Sequence, residues 1–174
     1  MLFRSLARRL GRTWLDADVE LERSLRTSIA DLVAVRGEAA FRDEESALLA
    51  ILLAAEDVVL ATGGGAVLRA ANRELLRRHG GLVVWLTAPA DVIRGRLAAD
   101  PVTARSRPAL AGSDPLLEVD AALAAREPLY RECAAITIDT AVTPPREAAE
   151  AIARHLGRAD AGGSSAAPGG GRSP

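Results

Sequence analysis

A short apolar run that ends in three glycines constrains the fold more than any other stretch of this chain. Residues Val58–Ala61 are apolar and begin with two β-branched side chains, which favours a buried strand. Gly63, Gly64 and Gly65 follow one residue later, and leucines then recur at helical spacing over Leu68–His79. The pattern predicts a strand, a tight loop and a helix. Glycines at the carboxyl end of a strand leave backbone N–H groups open to a ligand, although such a loop can also be a plain connector.

The rest of the chain alternates between strand-like and helix-like segments. Short apolar segments typical of strands lie at residues 13–15, 82–86 and 136–139. Segments with apolar residues every three or four positions lie at residues 2–10, 19–36, 38–53, 90–97, 114–123 and 145–156. Gly37 is expected to break the second of these from the third. The alternation predicts an α/β domain with a parallel sheet between two layers of helices.

The composition fits one compact domain followed by a tail. The 174 residues are 49% hydrophobic and 26% charged, which is enough for a sizeable core, and residues 1–158 are predicted to form the domain. Residues 159–174 are rich in Gly, Ser, Ala and Pro and are predicted to be disordered. Within the domain, residues 101–112 combine loop-forming residues with Arg105 and Arg107, and they suit an active-site lid.

Charge and cysteine content argue against several classes of function. The net charge of −1 provides no overall field to attract nucleic acid or an anionic membrane. No apolar run reaches the roughly 18 residues of a membrane span, and the first residues show no signal-peptide pattern. The only cysteine, Cys133, excludes an internal disulfide and a cysteine-rich metal site. We therefore expect a cytoplasmic protein that acts on a small molecule, as a monomer.

Two carboxylates at the end of the first predicted strand are candidates for chemistry. Asp16 and Asp18 stand two residues apart, so on an extended backbone they point to the same side. Such a pair could hold a metal-bound water and a substrate hydroxyl together. Alternatively, Asp18 simply caps the helix that follows.

Arg42 is a further candidate, in the first turns of the helix predicted at residues 38–53. Glu45 follows three residues later, so its carboxylate could orient the guanidinium. The ordinary alternative is an ion pair on a solvated helix face.

Four motifs, taken in order, resemble the shikimate kinase family over Leu2–Leu156. They are LDAD at 15–18, FRDEES at 41–46, LATGGGAV at 60–67, and RP at 107–108 followed by AREPLYRE at 125–132. The resemblance implies a three-layer α/β/α fold of the P-loop kinase type. It also implies an enzyme of aromatic amino acid biosynthesis that uses ATP and Mg²⁺ to phosphorylate the 3-hydroxyl of shikimate.

The resemblance further implies a role for each matched residue. The resemblance implies that Arg42 and Arg126 hold the carboxylate of the substrate. It implies that Asp18 and the backbone of Gly63, Gly64 and Gly65 bind the ring hydroxyls. The implied catalytic residues are Asp16, near Mg²⁺ through a water, and Arg107, which also contacts the phosphates of ATP. These residue types suit the chemistry, because phosphoryl transfer requires alignment and charge neutralisation.

One family feature is not found in these residues. The family places a strand and a G-x-x-x-x-G-K-[ST] loop directly before the helix that matches Leu2–Leu10, and the 174 residues contain neither that motif nor any lysine. Three hypotheses follow: a truncated and inactive form of a kinase, a shikimate-binding relative without catalysis, or a kinase for another polyol acid. On the first hypothesis, the sheet lacks its central strand between residues 58–62 and 82–86. We then expect the sheet to collapse, to rearrange or to aggregate through its open edges.

Overall fold

The computed structural model of this protein describes residues 2–99 and 119–163, with side chains up to residue 157. Within these ranges, strands alternate with helices, as predicted. The strands are β1 (Thr13–Asp16), β2 (Val58–Ala61), β3 (Val84–Thr87) and β4 (Ile136–Asp139). The helices are α1 (Leu2–Leu10), α2 (Ala17–Leu25), α3 (Ile29–Leu53), α4 (Ala70–His79), α5 (Ala90–Ala99), α6 (Val119–Cys133) and α7 (Pro145–Gly163). A 3₁₀ turn at Ala66–Leu68 leads from the glycines into α4.

Local sequence signals set several helix boundaries. The hydroxyl of Ser28 accepts the backbone N–H of Asp31 at 3.0 Å, which caps the start of α3. Gly37 has a φ of 82° and divides α3 into two helical segments at the predicted position. Gly11, with a φ of 66°, ends α1 in the left-handed conformation that glycine adopts without strain.

The last helix extends beyond the residues where composition predicts it to end. Disorder is predicted from Ala159, whereas α7 continues to Gly163. Lengthening an existing helix adds a hydrogen bond per residue and avoids the cost of nucleation. Residues 164–174 and the predicted lid at 101–112, with Arg105 and Arg107, lie outside the described residues.

Both strand pairs are parallel. β1 pairs with β2, with Asp16 opposite Ala61, and β3 pairs with β4, with Thr87 opposite Asp139. The two pairs form separate two-stranded sheets, so no ladder joins β2 to β3. The break lies where the family resemblance implies a central strand.

A cavity of about 730 Å³ lies between β2 and β3, and we call it the interstrand cavity. Side chains of both strands line it, together with Leu6 of α1, Leu76 of α4 and Cys133 of α6. Every residue of β2 is only half-buried, and Leu86 of β3 is 47% exposed, whereas parallel strands are normally covered. The expected collapse of the gap does not occur. A cavity of this size is large enough to admit water, which can pair with the unpaired strand edges.

Helices cover both faces of the strands. One buried cluster joins α1 and α7 to the strands and consists of Leu6, Ile138, Ala148, Ala149 and Ile152. A second joins the 3₁₀ turn to α4 and α6 and consists of Val67, Leu76 and Cys133. Val83 packs on the second cluster and Val84 on the first, so the clusters lie on opposite faces of the extended chain. This confirms the predicted three-layer α/β class.

A third, smaller cluster packs α2 against α3 and consists of Leu21, Leu32 and Phe41. It fixes the two helices that carry Asp18 and Arg42 relative to each other. In the described part of the chain, no helix combines the length and apolar character needed to cross a membrane.

Candidate active site

The glycine loop, residues 63–65, leaves the carboxyl end of β2 and meets side chains from neighbouring helices. A Cβ added at Gly65 would lie 2.6 Å from Cζ of Arg42, which is closer than real Cβ atoms approach. A Cβ at Gly63 would lie 3.0 Å from Oδ1 of Asp18 and 3.6 Å from Oε1 of Glu45. Gly65 has a φ of −87°, so glycine is needed there for space rather than for an unusual backbone conformation.

Gly64 is approached from α6. The hydroxyl of Tyr130 donates a hydrogen bond of 2.7 Å to the Gly64 carbonyl. Arg126 lies one turn earlier on the same helix, and its Nη1 is 4.0 Å from the position that a Cβ at Gly64 would take. The three glycines therefore bring together residues from α2, α3 and α6, including the predicted substrate residues Asp18, Arg42 and Arg126.

Two carboxylates hold Arg42 in place. Its Nη1 donates to both carboxylate oxygens of Glu45, at 3.1 and 2.9 Å, and its Nη2 donates to Glu38 at 3.3 Å. The side chains of Arg42 and Glu45 are only 12% and 9% exposed. The guanidinium also lies 4.6 Å from the ring centre of Phe41. A largely desolvated and charge-assisted pair of this kind is rigid, so the alternative of a solvated helix face is wrong.

The two aspartates of the LDAD motif have different positions. Asp16 is the last residue of β1, whereas Asp18 lies in the first turn of α2, so they do not share an extended strand as the sequence predicted. The chain turns into a helix directly after Asp16, which accepts the backbone N–H of Asp18 at 3.2 Å and caps α2. The capping role considered for Asp18 therefore belongs to Asp16. The carboxylate of Asp18 instead approaches the glycine loop.

Asp16 is a candidate for metal binding at this edge of the sheet. In residues 2–99 and 119–163, no group of three or more His, Cys, Asp or Glu side chains could hold a metal ion. Asp16 offers a single half-buried carboxylate at the carboxyl end of β1. Mg²⁺ usually keeps several waters and binds one or two carboxylates together with substrate phosphates. Asp16 thus fits a water-mediated contact to Mg²⁺ that is carried by a nucleotide.

A second cavity, of about 520 Å³, lies at the carboxyl ends of β3 and β4. Its walls include Leu86, Ala88 and Val142, and Arg96 is held there by hydrogen bonds of 2.8 and 2.7 Å to Oγ1 and the carbonyl of Thr140. In open α/β sheets this edge is the usual place for ligands. Sequence reasoning did not identify this cavity, because its walls come from segments that lie far apart in the chain, among them Leu86 and Val142.

Sequence reasoning also gave no role to Tyr130. The residue lies inside the AREPLYRE motif, but its partner Gly64 is 66 residues away in the chain. The residues next to Tyr130 in the sequence give no indication of a contact with a residue so far away in the chain.

Parallel strands between layers of helices, with a glycine loop and two arginines at the carboxyl end of β2, define an α/β domain, and solved structures of kinases share its fold. The family model described as "SKI: Shikimate kinase" matches residues 2–157. The chain belongs to the shikimate kinase family, a family of ATP-dependent kinases, as the motifs predicted.

Individual relatives agree with this assignment. The chain is 44% identical to shikimate kinase of Oleidesulfovibrio alaskensis over 136 residues, which cover 78% of each protein. It is 44% identical to shikimate kinase 2 of Yersinia enterocolitica over 149 residues, covering 86% of this chain and 83% of that protein. The solved shikimate kinase from Acinetobacter baumannii in complex with shikimate superposes with a TM-score of 0.82 at 36% identity, covering 91% and 86% of the two chains.

Proposed function

We propose that this protein binds shikimate at the glycine loop. We further propose that it takes part in the transfer of the γ-phosphoryl group of ATP to the 3-hydroxyl of shikimate. The observation that carries the proposal is the convergence of Asp18, Arg42 and Arg126 on three consecutive glycines. The relative solved in complex with shikimate supports the choice of ligand.

The chemistry of the site suits a small hydroxylated acid. Arg42 is already held by Glu45, so binding a carboxylate would cost its side chain little further rotamer entropy. Arg126 approaches the loop from a different helix, which allows the carboxylate to be held from two sides. Asp18 accepts hydrogen bonds from ring hydroxyls, and the N–H groups of the glycine loop donate to them.

The catalytic residues proposed from the family resemblance are Asp16 and Arg107. Asp16 would hold a water of the Mg²⁺ ion, and Mg²⁺ when bound neutralises phosphate charge. Arg107 lies outside the described residues, and its proposed role at the phosphates rests on the RP motif. Adenine would fit the second cavity, which has apolar walls at the same edge of the fold.

The 174 residues do not supply a phosphate cradle of the family type, because they contain neither the G-x-x-x-x-G-K-[ST] motif nor a lysine. We therefore derive no step for the β- and γ-phosphates, and we propose that these residues alone bind shikimate without phosphorylating it. A monomer in the cytoplasm, without nucleic acid or membrane partners, is part of the same proposal.

Isothermal titration calorimetry with shikimate tests the ligand assignment. Quinate and cyclohex-1-ene-1-carboxylate, which has a carboxylate but no hydroxyl, serve as comparison acids. We expect shikimate to bind most tightly, because only its hydroxyl pattern is proposed to match Asp18 and the glycine loop. Equal binding of all three acids would contradict a shikimate site, and tighter binding of quinate would favour a kinase for another polyol acid.

A further inference from the structure

The side chain of Tyr130 connects the glycine loop to strand β3. Its hydroxyl donates to the Gly64 carbonyl at 2.7 Å. Its ring stacks on Trp85 of β3, with centroids 5.6 Å apart and planes inclined by 22°. One side chain on α6 therefore fixes two chain segments that come from different sheets.

The hydrogen bond constrains one peptide plane of the loop. A glycine-rich segment has wide φ/ψ freedom, so its peptide planes can rotate at little steric cost. In a planar trans peptide, the carbonyl of Gly64 and the N–H of Gly65 point in opposite directions. With the carbonyl held by Tyr130, the N–H of Gly65 is directed away from α6.

Arg126 makes this contact relevant to ligand binding. It lies four residues before Tyr130 on α6, and its Nη1 approaches the same glycine, Gly64. Arg126 and Tyr130 therefore approach the loop from one helix, so the contact of Tyr130 with Gly64 also sets the distance between the Arg126 guanidinium and the loop backbone.

We propose that Tyr130 is a positioning residue for the acceptor site: its hydroxyl selects the orientation of the Gly64–Gly65 peptide in which the loop can donate to ring hydroxyls of the substrate. This inference rests on the proposed function. Tyr130 touches the loop at Gly64, so it acts on the substrate through the loop backbone.

The variant Tyr130→Phe removes the hydroxyl and keeps the ring on Trp85. Affinity for shikimate should fall by about 3- to 10-fold, while the melting temperature should fall by no more than about 2 to 4 °C, because only one neutral hydrogen bond is lost. The affinity for cyclohex-1-ene-1-carboxylate should change little, because that acid has no hydroxyl for the loop to bind. A merely structural role would weaken both acids together, or would lower the melting temperature by much more than one hydrogen bond accounts for.

Arg131→Ala is the matched control. Arg131 lies over the other partner of the stack, 5.3 Å from the ring centre of Trp85, and it is exposed. Its loss should leave both affinities unchanged. If Tyr130→Phe binds shikimate as tightly as the unaltered protein does, or if Arg131→Ala weakens binding equally, the proposal is overturned.

A ligand-independent measurement separates this inference from the proposed function. Hydrogen–deuterium exchange in Tyr130→Phe should become several-fold faster at residues 64–68. The 3₁₀ turn there relies on short backbone bonds, Ala66 N–H to Gly63 and Leu68 N–H to Gly65, at 3.1 and 3.0 Å. If the unaltered protein does not bind shikimate but the variant shows this local increase, the proposed ligand is wrong and Tyr130 still orders the loop. Unchanged exchange would remove Tyr130 as a positioning residue.

Discussion

The guanidinium of Arg42 occupies the space that a side chain at Gly65 would need. A Cβ at Gly65 would lie 2.6 Å from Cζ of Arg42, whose guanidinium is hydrogen-bonded to Glu45 and Glu38. The glycine loop and the Arg42 guanidinium are therefore packed directly against each other.

Gly65→Ala should abolish or strongly weaken shikimate binding. The added methyl group must displace Arg42 from Glu45, and overpacking of this kind typically costs about 1 to 3 kcal/mol of stability. Calorimetry and thermal melting measure the two effects. Gly95→Ala is the control, because a Cβ there meets nothing within 4 Å inside α5. That variant should keep its affinity and gain up to about 1 kcal/mol of stability.

Arg42→Ala should weaken shikimate binding by about 1.5 to 3 kcal/mol, the range for a hydrogen bond to a charged group. It also leaves the carboxylate of Glu45 buried without its cation, so the melting temperature should fall as well. Arg36→Ala is the control, since Arg36 is exposed on the same helix and pairs with Glu44. An unchanged affinity in Arg42→Ala would remove this residue from the site.

Arg107→Ala should lower kcat far more than it raises the KM for shikimate, in any form of the protein that turns over ATP. The reason is that a lid arginine at the phosphates interacts mainly in the transition state. Arg105→Ala, two residues away, should have a smaller effect. Equal losses of kcat in the two variants would contradict the assignment, and steady-state kinetics with both substrates decides between them.

A coupled ADP-release assay should detect no shikimate kinase activity for the 174 residues alone. A version in which an apolar strand and a G-x-x-x-x-G-K-[ST] loop precede Leu2 should be active and should melt at a higher temperature. The added strand would pair with β2 and β3 across the interstrand cavity. Each strand hydrogen bond that replaces a bond to water would add about 0.5 to 1.5 kcal/mol, against a total stability of only about 5 to 15 kcal/mol. Comparable turnover by both versions would show that other residues bind the phosphates.

The thiol of Cys133, which lines the interstrand cavity, should make the stability of the protein depend on pH. Burial raises the pKa of Cys133, and the neighbouring Glu132 carboxylate adds to the effect. The thiol is therefore neutral in the folded protein over a pH range where the unfolded chain already ionises. Stability should be constant at lower pH and should fall as the pH rises above the ordinary thiol pKa. Denaturant titrations from pH 7 to 10 measure this, and Cys133→Ala should lose that part of the pH dependence.

Local patterns were sufficient to predict most helices and strands. Turn chemistry and side-chain periodicity act within a few residues, so the capping of α3 at Ser28, the break at Gly37 and the strand before the glycine loop could be predicted. The motifs also identified the residues that converge at the loop, because a helix or a strand end fixes where each motif residue stands. The sequence did not predict that Asp16 ends the strand and that Asp18 lies in the helix. A shift of one residue in the end of a strand changes the direction in which the next side chains point.

By itself, the sequence determined the α/β class, the order of the elements and the family. Only the tertiary structure decided that Arg42 and Glu45 are buried together, that Tyr130 binds Gly64 across 66 residues, and that β2 and β3 stay apart. The physical reason is that spacing along the chain is a local property. Desolvation of an ion pair, and pairing between distant segments, depend instead on which surfaces cover them after the chain has packed.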